Sequence, residues 1–306
     1  MIKTFFLSLI DLIDFRGKVL LSKNKKVLNI YKNKRCFVIA TGTSLMDADL
    51  SLLKNEFKIG FGFGFLHHQI HNNFYDLYVL LDNYLNNNEN KSFPKGLNAE
   101  NMDDQANKMY SYISKMDIPY LFINRNNYTY VKKLFPKMLD NAYFFKSSHG
   151  AIGKDKLDLT KRFLTYPSSM IASLQIALEM GFKEIYILGA GFTYTPRNLY
   201  HFYDGFIKDS YQDLDLVKSK ASKFLDNRQN LNPNKKLNFK RLIKNNKKYY
   251  GLFTEHVSLN DPHYQAHAQI KLLAESYECD IFNVVPEGFD SKIYKKIKWS
   301  KLKSSL

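Results

Sequence analysis

Short runs of consecutive apolar residues recur through the first half of the chain, and most of them lead into a turn. The clearest run spans residues 36–40 and is followed by Thr41-Gly42-Thr43-Ser44. Continuous runs of this kind are typical of strands that are buried on both faces of a parallel sheet. The same pattern predicts strands at 57–65, 77–81, 120–123 and 141–145, with helices at 45–54 and 128–135.

The second half repeats a helix followed by a strand. Ser168 or Ser169 is predicted to cap a helix, which ends at Gly181 before a strand over 184–188. A later helix has a proline in its first turn and is predicted to run over 260–277, before a strand at 280–285. Strands that alternate with helices predict an α/β fold, a Rossmann-like doubly wound parallel sheet with an inserted lid-like segment.

The pattern also divides the chain. We predict an N-terminal amphipathic, basic helix over 1–33 and a Rossmann-like domain formed by 34–207 and 251–290. Residues 208–250 are polar and rich in lysine and asparagine, which fits a solvated insertion, a membrane-contacting helix or a lid over a site. Residues 291–306 are predicted to be a basic tail.

Composition adds one feature to be explained, a formal net charge of +16. Such a charge is typical of proteins that bind nucleic acid, an anionic membrane surface or an anionic substrate. Most of the cations are lysines, which disfavours nucleic acid because its readers rely on the bidentate contacts of arginine. No apolar run approaches the roughly 18 residues of a membrane span. The two cysteines exclude a disulfide scaffold and fit a reducing compartment.

Candidate ligand residues follow the predicted strands, because ligands of open α/β sheets bind at the carboxyl ends of strands. The turn of Thr41 to Ser44 offers backbone amides to a phosphate, although the same residues also make an ordinary turn. Asp82 and Asn83 come directly after a strand and either contact a ligand or start a turn. Asp47 and Asp49 are interpreted as helix-start residues, and the glycines of 60–64 as a crowded strand face.

Histidines and tyrosines provide the candidate chemistry. His263 and His267 share a helix face, but no third zinc ligand is evident, whereas one histidine at a helix start suits a general base. The aromatic segment 192–203 follows a predicted strand, and its tyrosine hydroxyls and Arg197 suit a phosphate. Packing of these aromatic rings over the sheet is the alternative.

Three stretches resemble the bacterial sialyltransferases of glycosyltransferase family 42 and the related motility-accessory proteins of flagellin glycosylation. Residues 37–45 are similar to the family's first strand and its glycine-containing turn. Residues 168–192, with Gly181 and Gly189, are similar to the central helix and strand. Residues 256–286 are similar to the histidine-led last helix and strand, so the resemblance spans most of the predicted skeleton.

The resemblance implies transfer of a nonulosonic acid, such as sialic acid, from a CMP-sugar donor to an acceptor sugar, without a metal or other cofactor. By the same resemblance His263 is the general base, with His256 as its competitor, and Tyr194 and Tyr200 hold the leaving phosphate. Together with the pattern-based choices, the candidate substrate-binding residues are Thr41, Gly42, Thr43, Ser44, Asp82, Asn83, Ser168, Ser169, Gly189, Arg197 and His201.

The resemblance further implies a cytoplasmic enzyme of surface polysaccharide synthesis, peripheral on the inner face of the membrane. Its partners are then the nucleotide-sugar donor, a glycan or flagellin acceptor and the anionic membrane, while a homo-oligomer stays open. Thr41 stands where the family has an asparagine, which leaves the donor sugar open. Two other functions stay open: a magnesium-dependent nucleotide enzyme of the pterin diphosphokinase type, and a non-catalytic basic protein that binds membranes or nucleic acid.

Overall fold

The computed structural model describes residues 15–42, 45, 48–67, 69–81, 99–149, 152, 156–165, 168–190, 262–285 and 293–304. The strands are β1 (Arg35–Ile39), β2 (Phe57–Phe61), β3 (Leu77–Leu80), β4 (Tyr120–Asn124), β5 (Ala142–His149), β6 (Arg162–Thr165), β7 (Glu184–Leu188), β8 (Asp280–Val285) and β9 (Lys295–Lys298). The helices are α1 (Phe15–Ser22), α2 (Ala99–Ile113), α3 (Tyr128–Leu134), α4 (Ser169–Glu179), α5 (Pro262–Ser276) and α6 (Trp299–Lys303).

All nine strands form one parallel sheet in the order β6-β5-β4-β3-β2-β1-β7-β8-β9. Strands β2 to β6 follow one another along the sheet on one side of β1. The chain then returns along α4 to place β7 against the other side of β1, and it continues outward in the opposite direction. The sheet is therefore doubly wound, which confirms the predicted α/β, Rossmann-like fold.

Two apolar layers cover the faces of the sheet. On one face α4 packs over β1, β2 and β3 and α5 packs over β8, and Leu174 and Ile270 are fully buried there. On the opposite face α2, α3 and α6 supply buried side chains such as Tyr110, Val131 and Leu302. Burial on both faces explains why the central strands have continuous rather than alternating apolar residues. Within the described ranges, no helix combines the length and the apolar character needed to cross a membrane.

A turn after α1 covers the free part of strand β5. β5 pairs with β4 through Ala142–Phe145 and with β6 only further along, through Lys146–His149. The Asn24 amide nitrogen donates to the carbonyls of Phe144 and Leu159, both at 2.7 Å, and the Lys23 ammonium donates to the Ala142 carbonyl at 2.8 Å. Asn24 thus supplies the donors that a strand would otherwise provide.

Asn24→Ala is expected to destabilise the protein strongly. The substitution leaves two buried carbonyls without their donor, at about 1–3 kcal/mol each. We expect a loss of about 2–4 kcal/mol in the free energy of unfolding, measured by urea denaturation. Lys25→Ala is the matched control, because Lys25 is exposed in the same turn. Equal stabilities of the two variants would contradict the role given to Asn24.

The predicted helix over 45–54 is wrong as a continuous helix. Asp49 has extended backbone angles (φ −86°, ψ 95°), and a 3-10 turn, Leu50–Leu53, begins after it. The Asp49 carboxylate accepts hydrogen bonds from the backbone N–H and the hydroxyl of Ser51 at 3.1 and 2.6 Å. This local side-chain bonding competes with helix formation, and it makes Asp49 the N-cap of the 3-10 turn instead of a residue of a first helical turn.

The other differences concern the lengths of elements and elements that the pattern did not indicate. β2 ends at Phe61 because Gly62 has a positive φ of +56°. β5 is longer than predicted, and β6, β9 and α2 were not predicted. β9 and α6 lie within the segment predicted as a basic tail, and β9 pairs with β8.

Candidate functional site

The strand order reverses between β1 and β7, and this reversal defines the candidate site. The connections after β1 and β7 leave towards opposite parts of the sheet, so a crevice opens between the carboxyl ends of these two strands. The residues that follow the two strands are Ala40 to Gly42 and Gly189 to Ala190. Three of the predicted substrate-binding residues, Thr41, Gly42 and Gly189, therefore lie together.

Backbone hydrogen bonds join the two loops at this point. The Ala40 N–H donates to the Leu188 carbonyl at 2.8 Å, and the Gly42 N–H donates to the Gly189 carbonyl at 2.7 Å. Gly189 has a φ of +72°, and a Cβ at this position would lie 2.5 Å from the Ala40 carbonyl oxygen. Only glycine allows the two backbones to approach so closely, which explains its place at the predicted turn.

The ends of the neighbouring strands continue the same edge. A Cβ on Gly64 would lie 3.9 Å from the Thr41 methyl group, so the loop after β2 is next to the loop after β1. Further along, the Asn124 amide nitrogen donates to the Leu81 carbonyl at 3.0 Å, and this bond joins the ends of β3 and β4. Asn124 is buried, and it lies just beyond the strand predicted over 120–123.

The glycines of 60–64 have a structural explanation. A Cβ on Gly60 would lie 2.5 Å from the Tyr75 ring and 2.6 Å from the Tyr78 ring. The Tyr78 hydroxyl also donates to the Gly62 carbonyl at 2.7 Å. These rings occupy the space that a side chain at position 60 would need, in agreement with the interpretation of a crowded strand face.

Ser168 and Ser169 lie at the carboxyl edge because α4 begins shortly after the end of β6. Ser168 is the N-cap residue, and its carbonyl accepts from the Ala172 N–H at 3.1 Å. Its side chain makes no capping hydrogen bond within the described part of the chain. The Ser169 carbonyl accepts from the Ser173 hydroxyl at 2.7 Å. Both serines are half-buried.

α5 brings the proposed general base to the same edge. His263 is the second residue of this helix, and α5 packs on β8 and on α4. One turn further along, His267 is buried, and its Nδ1 lies 2.8 Å from the hydroxyl oxygen of Tyr294. Burial raises the pKa of Tyr294 well above its usual range, so this phenol stays protonated. This hydrogen bond links the first half of α5 to the segment before β9.

A buried asparagine lies in β8, the strand on which α5 packs. Asn283 is fully buried, and neither its amide oxygen nor its amide nitrogen has a hydrogen-bond partner in the part of the chain that the structure describes. Leaving such a group unpaired costs about 1–3 kcal/mol. The signal in the sequence is a single asparagine that interrupts the apolar run 281–285.

Potential metal ligands are dispersed within the described residues. No three side chains of histidine, cysteine, aspartate or glutamate come together there as a metal-binding group. Cys36 and Cys279 are both buried and free of disulfide bonds. Burial raises the pKa of both thiols, that of Cys279 to about 12, so they are unreactive core residues at neutral pH.

The remaining predicted site residues fall outside what the structure describes. For His263 the described part is its backbone in α5, and the side chain lies outside. The proposed lid over 208–250 also lies outside the described residues. The predicted site residues outside them are Thr43, Ser44, Asp82, Asn83, Tyr194, Arg197, Tyr200, His201 and His256.

The fold defines the class of the molecule, an α/β protein with a parallel sheet whose strand order reverses between β1 and β7. A similar solved structure is the sialyltransferase CstII from Campylobacter jejuni in complex with a substrate analogue, cytidine-5′-monophosphate. The two chains share 10% sequence identity with a TM-score of 0.44, over 88% of this chain and 87% of that chain. No family model matches the sequence, and no curated protein matches it.

Proposed function

We propose that the chain is a glycosyltransferase that moves a nonulosonic acid from a CMP-sugar to a surface glycan or to flagellin. The observation that carries the proposal is the reversal of strand order at β1 and β7, where the bond from Gly42 to Gly189 joins two small-residue loops. A crevice of this kind is where doubly wound sheets bind nucleotides. The resemblance of residues 37–45, 168–192 and 256–286 to family 42 supports the choice of donor.

The proposed reaction is a displacement at the anomeric carbon of the donor sugar. His263 takes the proton of the acceptor hydroxyl, the acceptor oxygen forms a bond to the anomeric carbon, and the bond from that carbon to the CMP phosphate breaks. Tyr194 and Tyr200 donate to the phosphate as it leaves with its negative charge. The reaction passes through an oxocarbenium-like state, for which a base, phosphate donors and correct positioning are sufficient without a resident cofactor.

The cationic surface suits an acceptor on an anionic membrane. Lys295 and Lys298 of β9 and Lys301 and Lys303 of α6 lie close together along the chain, and all four are exposed. Cations near an anionic leaflet contribute about 1 kcal/mol each to membrane attachment. We therefore place the enzyme at the inner face of the cytoplasmic membrane, as a peripheral protein.

A ligand screen tests the proposed nucleotide. We expect CMP to raise the melting temperature selectively over CDP, UDP, GDP and ATP, with and without magnesium. At a ligand concentration of 100 times Kd, the stabilisation is about 2.7 kcal/mol. Cytidine, which lacks the phosphate, is the matched control and is expected to stabilise the protein less. Selective stabilisation by ATP with magnesium would contradict the proposal and support a magnesium-dependent nucleotide enzyme.

A further inference from the structure

Asn283 is a polar exception in a row of apolar side chains. The register partners Leu77, Ile59, Val38 and Ile187 run across β3, β2, β1 and β7, and each of them is buried in the apolar layer beneath α4 and α5. The next partner in this row is Asn283 of β8. An apolar residue would continue the layer, whereas the amide interrupts it.

The amide is fully buried, and its donor and its acceptor are both unused. Neither the oxygen nor the nitrogen has a hydrogen-bond partner in the described ranges. His267 and Tyr294, two polar side chains of the same layer, bond to each other. A leucine has the same number of side-chain heavy atoms and would fill this place without leaving polar atoms unpaired. A buried polar group of this kind calls for an explanation, and a bound ligand is one that fits its position.

Asn283 lies in the carboxyl half of β8, beside the crevice. Asn283 pairs with Ile187, which is followed by Leu188 at the end of β7 and then by the Gly189 turn. In the proposed function the candidate nucleotide-binding residues follow β1 and β3, and the tyrosines proposed for the phosphate follow β7. The donor sugar then extends in the remaining direction, towards β8 and α5.

We infer that Asn283 is a sugar-binding residue that binds the transferred sugar of the donor, an inference that rests on the proposed function. The hydroxyl and acylamido groups of a nonulosonic acid both donate and accept hydrogen bonds. A carboxamide complements such groups because it carries one acceptor and two donor hydrogens. The bound sugar supplies the partners that the amide lacks among the described residues. Asn283 selects for the sugar and takes no part in proton transfer.

The test compares Asn283→Leu with the wild type on two ligands. One is CMP, and the other is CMP-3-fluoro-N-acetylneuraminic acid, a donor that is not transferred. We expect the variant to keep its affinity for CMP and to bind the fluorinated donor about tenfold more weakly, as measured by calorimetry. We also expect the melting temperature of the unliganded variant to rise by about 2–4 °C, because an unpaired amide has been removed.

The control is Ile281→Leu, which changes a buried apolar residue on the same face of the same strand. It is expected to leave both affinities unchanged. Unchanged binding of the fluorinated donor by Asn283→Leu would overturn the inference, as would a lower melting temperature with equal losses for both ligands, since that result indicates a structural residue. A wild type that binds the fluorinated donor no better than CMP would contradict the proposed donor, and the inference would fall with it.

Discussion

His263→Ala is expected to abolish sugar transfer while CMP binding survives. The residue opens α5 at the carboxyl edge, where the imidazole of the proposed mechanism takes the proton of the acceptor hydroxyl. Removal of a general base lowers the rate by about 100- to 10,000-fold. The measurement is the release of CMP from CMP-N-acetylneuraminic acid with lactose as the acceptor probe, alongside CMP affinity by calorimetry.

Two further histidine variants make this result specific. His71 is exposed in the connection before β3, at the amino edge of the sheet, and His71→Ala is expected to leave CMP release unchanged. His256→Ala tests the competing base. Full turnover by His263→Ala together with an inactive His256→Ala would move the role to His256. Full turnover by both variants would contradict a histidine base.

Gly189→Ala is expected to cause a large loss of stability and to weaken CMP binding. The added Cβ would lie 2.5 Å from the Ala40 carbonyl oxygen and 3.1 Å from the Leu45 Cβ, and the backbone has a φ of +72°. β1 and β7 would have to separate at the crevice, which disturbs the bond from Gly42 to Gly189. We expect a loss of about 3–5 kcal/mol in the free energy of unfolding, in the range of severe core defects.

Gly62→Ala separates the two causes of this loss of stability, the steric clash of the added Cβ and the strain of a positive φ. Gly62 has a similar φ of +56°, but a Cβ there would meet nothing within 4 Å. Its substitution therefore reports the backbone strain alone, which is about 1 kcal/mol. Urea denaturation of both variants gives the comparison. If Gly189→Ala were no less stable than Gly62→Ala, the close approach of β1 and β7 would not be what requires a glycine.

The sequence predicted best the elements that are buried on both faces. β1, β3, β4, β7 and β8 were found within a residue of their ends, because each is a continuous apolar run bounded by turn residues. The end of α4 at Gly181 also follows from local chemistry. The Rossmann-like arrangement could be predicted because helices alternate with these strands.

Edges and long-range contacts could not be predicted in this way. β9 has the sequence Lys-Lys-Ile-Lys, and as an edge strand it needs no apolar run, so its composition suggested a tail. Neither strand has a sequence pattern that predicts the pairing of β1 with β7. The proximity of Thr41, Gly42 and Gly189 could be expected because each of them follows a strand end, whereas the position of Asn283 depends on the register with Ile187.

The central place of β1 has a consequence for how the chain folds. β1 lies early in the sequence. It pairs with β2 on one side and with β7 on the other, where Arg35 is opposite Glu184. Until that distant segment has been synthesised, this strand, which is buried over four of its five residues, has one open side. Closing so long a loop is slow, and an open apolar strand is prone to association with other chains. The crevice between β1 and β7 is therefore also the junction that the nascent chain completes late.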